Sequence, residues 1–213
     1  MATMQGWEAI EAALAAQYPG QEPFHYGTVQ RYSEGGPDPL DGISAYRAVA
    51  PDHWHFITFG FSELYTKESG DPAVSGWGFE LSFRLSRPEG EPSPPQWVLV
   101  FLQNLARYVF NTRCPFDHEH YIRWGGPITS AAPTALEAVV FFTDRRLGAL
   151  RTPNGRVQFL VPFGITPDEY GFAAENGPEA LLPLLLFNNP WGIVHPERVS
   201  ALTAGDNADV PGS

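Results

Sequence analysis

The chain has 213 residues, 43% of them hydrophobic and 14% aromatic, with a formal net charge of −11. That much apolar material excludes a globally disordered chain, and the acidity excludes a nucleic-acid binder that works through a basic phosphate-binding face. A single cysteine, Cys114, excludes an internal disulfide and suggests a reducing compartment.

The elements read in chain order as follows. The N-terminus, MATMQGWEAIEAALAAQ, lacks a basic leader and carries Glu8 and Glu11, so it is not a signal peptide. Trp7, Ile10 and Leu14 are spaced three and four apart, which predicts an amphipathic helix over residues 5–18, stopped by Pro19-Gly20. A short extended piece follows at Phe24–Val29, and then GGPDPLDG (Gly35–Gly42), too rich in turn formers to be regular. Strands are expected at Ile43–Val49 and Trp54–Phe61. Another is expected at Trp77–Ser86, where Trp77, Phe79, Leu81, Phe83 and Leu85 alternate with Gly78, Glu80, Ser82, Arg84 and Ser86; this reads as a half-buried strand.

After Pro92, Pro94 and Pro95 the period changes to that of a helix over residues 95–112. Apolar residues surround it except for one polar stripe at Gln103, Asn104, Arg107 and Asn111, predicting a helix packed on most sides. A mixed stretch, Cys114–Thr134, precedes strands at Leu136–Thr143, Leu147–Arg151 and Arg156–Phe163. The last two flank Pro153-Asn154-Gly155, a strong hairpin signal. Thr166, Pro167 and Glu169 form a capping-box start, and a further helix is expected at Pro178–Phe187. The C-terminal segment ALTAGDNADVPGS is poor in apolar residues and expected to fray. No run reaches the roughly 18 apolar residues of a membrane span. These features predict one α+β domain over 1–200, a mixed, mostly antiparallel sheet packed with helices, followed by a flexible tail at 201–213. A cytoplasmic location is expected.

The densest polar cluster is Cys114, Asp117, His118, Glu119, His120 and Tyr121. These residue types could ligate zinc, or a histidine could activate the thiol as a nucleophile. Against this, His118 and His120 are two apart and would point to opposite sides of a strand, and no Cys-x-x-Cys or His-Glu-x-x-His accompanies them. His53 and His55 flank Trp54 at strand spacing. Asp38 and Asp41 fit turns or caps better than a carboxylate pair. The Gly35-Gly36, Gly76-Trp77-Gly78 and Gly125-Gly126 pieces lack the spacing and lysine of a phosphate loop, and no Gly-x-Ser-x-Gly elbow exists. What remains is recognition surface: an open sheet edge can take an extended peptide as an added strand. The polar seam of the long helix, near Tyr108, could border such a groove.

The segments GGPDPLDGISAYR, HWHFITFGFSELY, SGWGFELSFRL, PPQWxxxFLQNLARYVF and TPNGxVxFL, in this order, resemble the Suppressor of fused (Sufu) family from about Tyr18 to Arg198. The resemblance implies a mixed α/β domain without catalytic residues, cofactor or metal. In animal members this domain is the N-terminal lobe of a two-lobed protein that restrains the zinc-finger transcription factors of the Hedgehog pathway by clamping a peptide as a strand. The chain ends where that lobe ends, so half of the clamp is expected to be missing. Tyr108 matches a tyrosine that contributes to peptide binding there, while His120 stands where those proteins have an aspartate. Stand-alone bacterial members resemble this chain more closely, and many are inferred to be immunity proteins that neutralise a toxin by tight binding. A non-enzymatic protein-binding role follows, with Tyr108, Asp117, His118, His120 and Tyr121 as partner-binding candidates and a protein partner, a peptide segment or a basic toxin, rather than nucleic acid or membrane. The competing expectation is a metal or thiol enzyme built on the Cys114–His120 cluster.

Overall fold

A computed structural model describes residues 4–203. The expected tail therefore lies outside the described residues from position 204 onward; its first three residues, 201–203, form a turn. The element order is α1 (Gln5–Gln17), β1 (Phe24–Gly27), β2 (Gly42–Val49), β3 (Asp52–Phe59), β4 (Val74–Ser86), α2 (Trp97–Thr112), β5 (Tyr121–Arg123), β6 (Ala138–Thr143), β7 (Ala149–Thr152), β8 (Gly155–Ile165), α3 (Pro167–Asn176), α4 (Pro178–Leu186) and β9 (Ile193–Val194). Among the described residues these strands form one sheet in the order β1-β2-β3-β4-β8-β6-β5, with β7 paired to β8 and β9 to β4. The β4–β8 and β4–β9 pairs are parallel and the rest antiparallel, so the sheet is mixed and mostly antiparallel.

β4 is the spine, paired with β3 on one side and with β8, then β9, on the other. Its alternation places Phe79, Leu81, Phe83 and Leu85 in the main core with Val98, Phe101, Leu102 and Leu105 of α2, where the Phe83 and Phe101 rings lie 5.4 Å apart. The expectation of a half-buried strand is corrected, because Glu80, Ser82 and Arg84 on the other face are buried too. α1 covers part of that face, packing Ile10, Leu14 and Tyr18 against Tyr46, Ile57 and Phe59 in a second apolar cluster. A strand covered on both sides must find partners for its polar side chains inside the protein, and this one does so for all but the Arg84 Nε among the described residues. Glu80 accepts from the Thr58 and Ser62 hydroxyls and from the Gly60 and Ser62 backbone N–H groups. Ser82 links His55 Nε2 (2.7 Å) to Asp144 Oδ2 (2.5 Å), and Arg84 donates to the same Asp144 oxygen at 2.7 Å.

The hairpin forms as predicted, but its two loop residues are Pro153 and Asn154, with Gly155 opposite Thr152. Gly155 has φ 115°, and a Cβ there would lie 2.7 Å from the Val74 carbonyl carbon, so only glycine fits. Asn154 instead uses its amide to hold the Glu63 and Tyr65 carbonyls, tying the hairpin to the loop after β3. The capping box at Thr166 is present, with Glu169 accepting the Thr166 N–H at 2.8 Å.

Candidate functional site

β5 ends the sheet. Its three residues pair with β6 at Tyr121↔Val140, Ile122↔Val139 and Arg123↔Ala138. The flanking bonds, Phe141 N–H to His120 O and Trp124 N–H to Glu137 O, fix the phase of this ladder. Ile122 therefore spends its N–H and C=O on β6, while those of Tyr121 and Arg123 point outward along the open edge. Among the described residues no strand pairs with that edge.

Beside it lies a groove of about 310 Å³ lined by Tyr108, Cys114, Pro115, Phe116, Glu119, His120, Tyr121 and Ile122. α2 delivers Tyr108 near its C-terminal end, where the helix stops at Arg113 in a left-handed turn. Phe116 is buried and anchors the following segment: its ring stacks on Phe141 at 4.0 Å and on Tyr108 at 5.5 Å, so Tyr108 is held half-exposed on a column of rings. Tyr121 meets Tyr170 of α3 edge-on at 5.4 Å.

The five partner-binding candidates divide. Tyr108, His120 and Tyr121 line the groove, whereas Asp117 and His118 sit on the exposed turn beside it and do not. The two histidines were expected on opposite sides of a strand; they lie instead on a turn in which Glu119 adopts φ 66°. His118 Nδ1 accepts the Thr143 N–H and His120 Nδ1 accepts the Asp117 N–H, each at 3.2 Å. A ring that accepts at Nδ1 has Nε2 as its remaining polar atom. These bonds spend one nitrogen of each ring on shaping the turn. Among the described residues no group of three or more His, Cys, Asp or Glu is arranged to hold one, and exposed Cys114 bonds only locally, to Thr112.

The polar stripe of α2 does not border this groove. Gln103 exchanges bonds with the Leu40 backbone, and Arg107 holds the Pro37 carbonyl and the Asp38 carboxylate, so the Gly35–Gly42 loop takes up these two residues of the stripe. Asp38 is thus a partner of Arg107. Asp41 lies in a separate cleft with Tyr65, where burial raises its carboxyl above the ordinary range.

Comparison with known proteins places this architecture. The family model described as Suppressor of fused protein (SUFU) matches residues 36–199. The mouse Suppressor of fused homolog is 36% identical over 212 residues, covering 91% of this chain and 43% of its own length; the chain thus spans under half of that relative. A chain from the Sufu-Fu complex crystal structure superposes with a TM-score of 0.86 at 30% identity, covering 95% of this chain and 94% of that one. A SUFU homolog from Neisseria gonorrhoeae shares the fold with a TM-score of 0.62 at 14% identity, covering 93% of this chain and 97% of its own.

Proposed function

This chain belongs to the Suppressor of fused family, and from that premise we propose that it is a non-enzymatic binding domain that captures an extended segment of a partner protein along β5. The observation that carries this reading is the combination of an unpaired strand edge with a side-chain groove directly beside it. The outward N–H and C=O groups of Tyr121 and Arg123 would supply main-chain bonds, and the Tyr108–Phe116 column with His120 would receive a side chain. A Suppressor of fused chain is crystallised in a complex named Sufu-Fu, which supports a protein as the partner class.

His120 brings no fixed negative charge of its own to the groove, whose lining carboxylate is that of Glu119. The role is sequestration of a partner in the cytoplasm, of the kind by which an immunity protein neutralises a toxin. The −11 charge would speed encounter with a basic partner more than it would tighten the complex. Asp117 and His118, on the turn at the groove's rim, would meet such a partner at the periphery.

The test is affinity capture of the product of the adjacent gene at low salt, with wild type and Tyr108→Ala in parallel. A stoichiometric complex weakened about tenfold by Tyr108→Ala is expected, a loss of about 1.4 kcal/mol. No complex with that product, or one indifferent to Tyr108, overturns the reading.

A further inference from the structure

β4 and β8 run in parallel as far as the Leu81–Leu160 pair and then part. β4 continues to β9 at Arg84↔Ile193, while β8 continues along β6 to Ile165. The strands diverge toward their carboxyl ends, and beside the divergence lies a cavity of about 290 Å³.

Its walls are of two kinds. Phe142, Leu186 and Trp191 give apolar surface, and Arg84, Arg145 and Arg146 give positive charge. The whole chain has 13 basic residues against 24 acidic ones, so three arginines around one small cavity run against the charge of the molecule. Arg84 is 2% exposed; its Nη2 bonds Asp144, but its Nε has no hydrogen-bond partner among the described residues. Asp144 cannot satisfy it fully, since that carboxylate also accepts from Ser82 and from the Arg146 and Leu147 backbone N–H groups. A buried N–H without a partner is destabilising, and a ligand oxygen that reached it by a small shift of the guanidinium would relieve that. Arg146 lies over the Trp191 ring, 3.2 Å from its centroid. The same two residues also line a neighbouring cavity of about 290 Å³, beside His53, whose buried Nε2 is likewise unpartnered.

We propose that the β4–β8 crevice binds a small carboxylate carried on an apolar body, with Arg84 and Arg146 taking the carboxylate and Phe142, Leu186 and Trp191 holding the body. A planar guanidinium matches a carboxylate with paired bonds. Inorganic phosphate would gain nothing from the apolar wall, and its second charge would face Asp144. The cavity is at the small end of ligand pockets, the size of one residue or a short organic acid. The carboxylate can come from a free acid or from the C-terminus of a peptide.

The experiment follows the arginine Nε–H and indole resonances of the full chain by NMR while N-acetyl-leucine is added. Saturable shifts of Arg84 Nε–H and the Trp191 indole are expected, with a Kd on the order of 1 mM for so small a ligand. N-acetyl-leucinamide, which lacks the charge, and inorganic phosphate should move neither. Arg146→Ala, an exposed rim variant, should weaken binding about tenfold, the loss of one charge-assisted bond, and it keeps the test open if Arg84 variants fail to fold. Tighter binding of a leucine-ended tetrapeptide than of N-acetyl-leucine assigns the site to a chain terminus, and equal binding assigns it to a free acid. Absence of a saturable Arg84 shift at about ten times that concentration, or equal shifts with the neutral amide, overturns the proposal.

Discussion

Two polar clusters of this molecule make opposite use of similar residues. Cys114 to Tyr121 brings a cysteine, an aspartate, two histidines and a tyrosine within eight positions, yet folded they spread along an exposed turn and bond mainly to nearby backbone. Tyr18, His55, Ser82, Arg84 and Asp144 are scattered over 127 positions of sequence, yet folded they form one continuous buried chain of hydrogen bonds, from the tyrosine hydroxyl to the guanidinium. Nearness in sequence produced a surface; distance in sequence produced a network. The interior cluster also resembles a nucleophile, base and acid in composition. Its order is wrong for that chemistry: Tyr18 rather than Asp144 occupies His55 Nδ1, and Asp144 bonds the serine directly. Burial and the nearby Arg84 charge hold the His55 ring well below its ordinary pKa, so it is neutral and structural.

If the interior cluster is a folding device and the edge cluster is not, breaking each should cost very different amounts. The largest effect is expected for Asp144→Ala, which strands the 2%-exposed Arg84 charge. Removing one partner of a buried pair costs about 3–5 kcal/mol, read as a fall in the urea midpoint. A loss within about 0.5 kcal/mol, the range of ordinary surface changes, would show that the comparison is drawn in the wrong place.

Glu80 sharpens the same contrast through pH. Burial raises its carboxyl from an ordinary 4.5 to about 7, outweighing the bonds donated by Thr58, Gly60 and Ser62. Between those values the folded protein holds a proton that the unfolded chain has released, so stability falls as pH rises, by about 1.4 kcal/mol per unit and about 3 kcal/mol in all. Urea midpoints of wild type should therefore drop between about pH 5 and about pH 7, and Glu80→Gln should flatten the slope over that window. An equal slope in the variant would assign the dependence elsewhere.

A smaller loss is expected at the start of α3. Thr166→Ala removes half of the capping box and should lower stability by about 1 kcal/mol, again by urea midpoint. This element, unlike the interior cluster, was legible in the sequence, because a cap is a local bargain between residues three apart. The same holds for the alternation from Trp77 to Leu85 and for the Pro153–Gly155 turn. What escaped was non-local. The polar face of β4 read as solvent-facing because Thr58, Ser62, His55 and Asp144, which satisfy it, come from other strands and loops. The stripe on α2 read as a free seam because its cover, Pro37–Leu40, lies more than sixty positions upstream. β5 and β9, at three and two residues, are too short for any period to show. Of the binding candidates, Tyr108 and His120 came from matching family motifs, and no periodicity would have placed them in one groove.

The smallest stability effect and the sharpest functional one should coincide at Arg123. Its N–H points away from β6, its side chain is exposed, and Ile122 before it is already extended, the backbone that a following proline demands. Arg123→Pro should therefore leave the urea midpoint within about 0.5 kcal/mol of wild type, while deleting one of the few main-chain donors at the open edge. Ile122→Pro is the matched control, since it removes a bond from the β6 ladder and should destabilise the strand itself. A partner added as a strand on β5 would lose about tenfold in affinity with Arg123→Pro, the equivalent of one hydrogen bond. A partner held only by side chains in the Tyr108 groove would not notice the change. Unaltered capture by Arg123→Pro together with loss in Tyr108→Ala would keep the groove and discard the added strand, and this separates a backbone-reading edge from a pocket that happens to lie next to one.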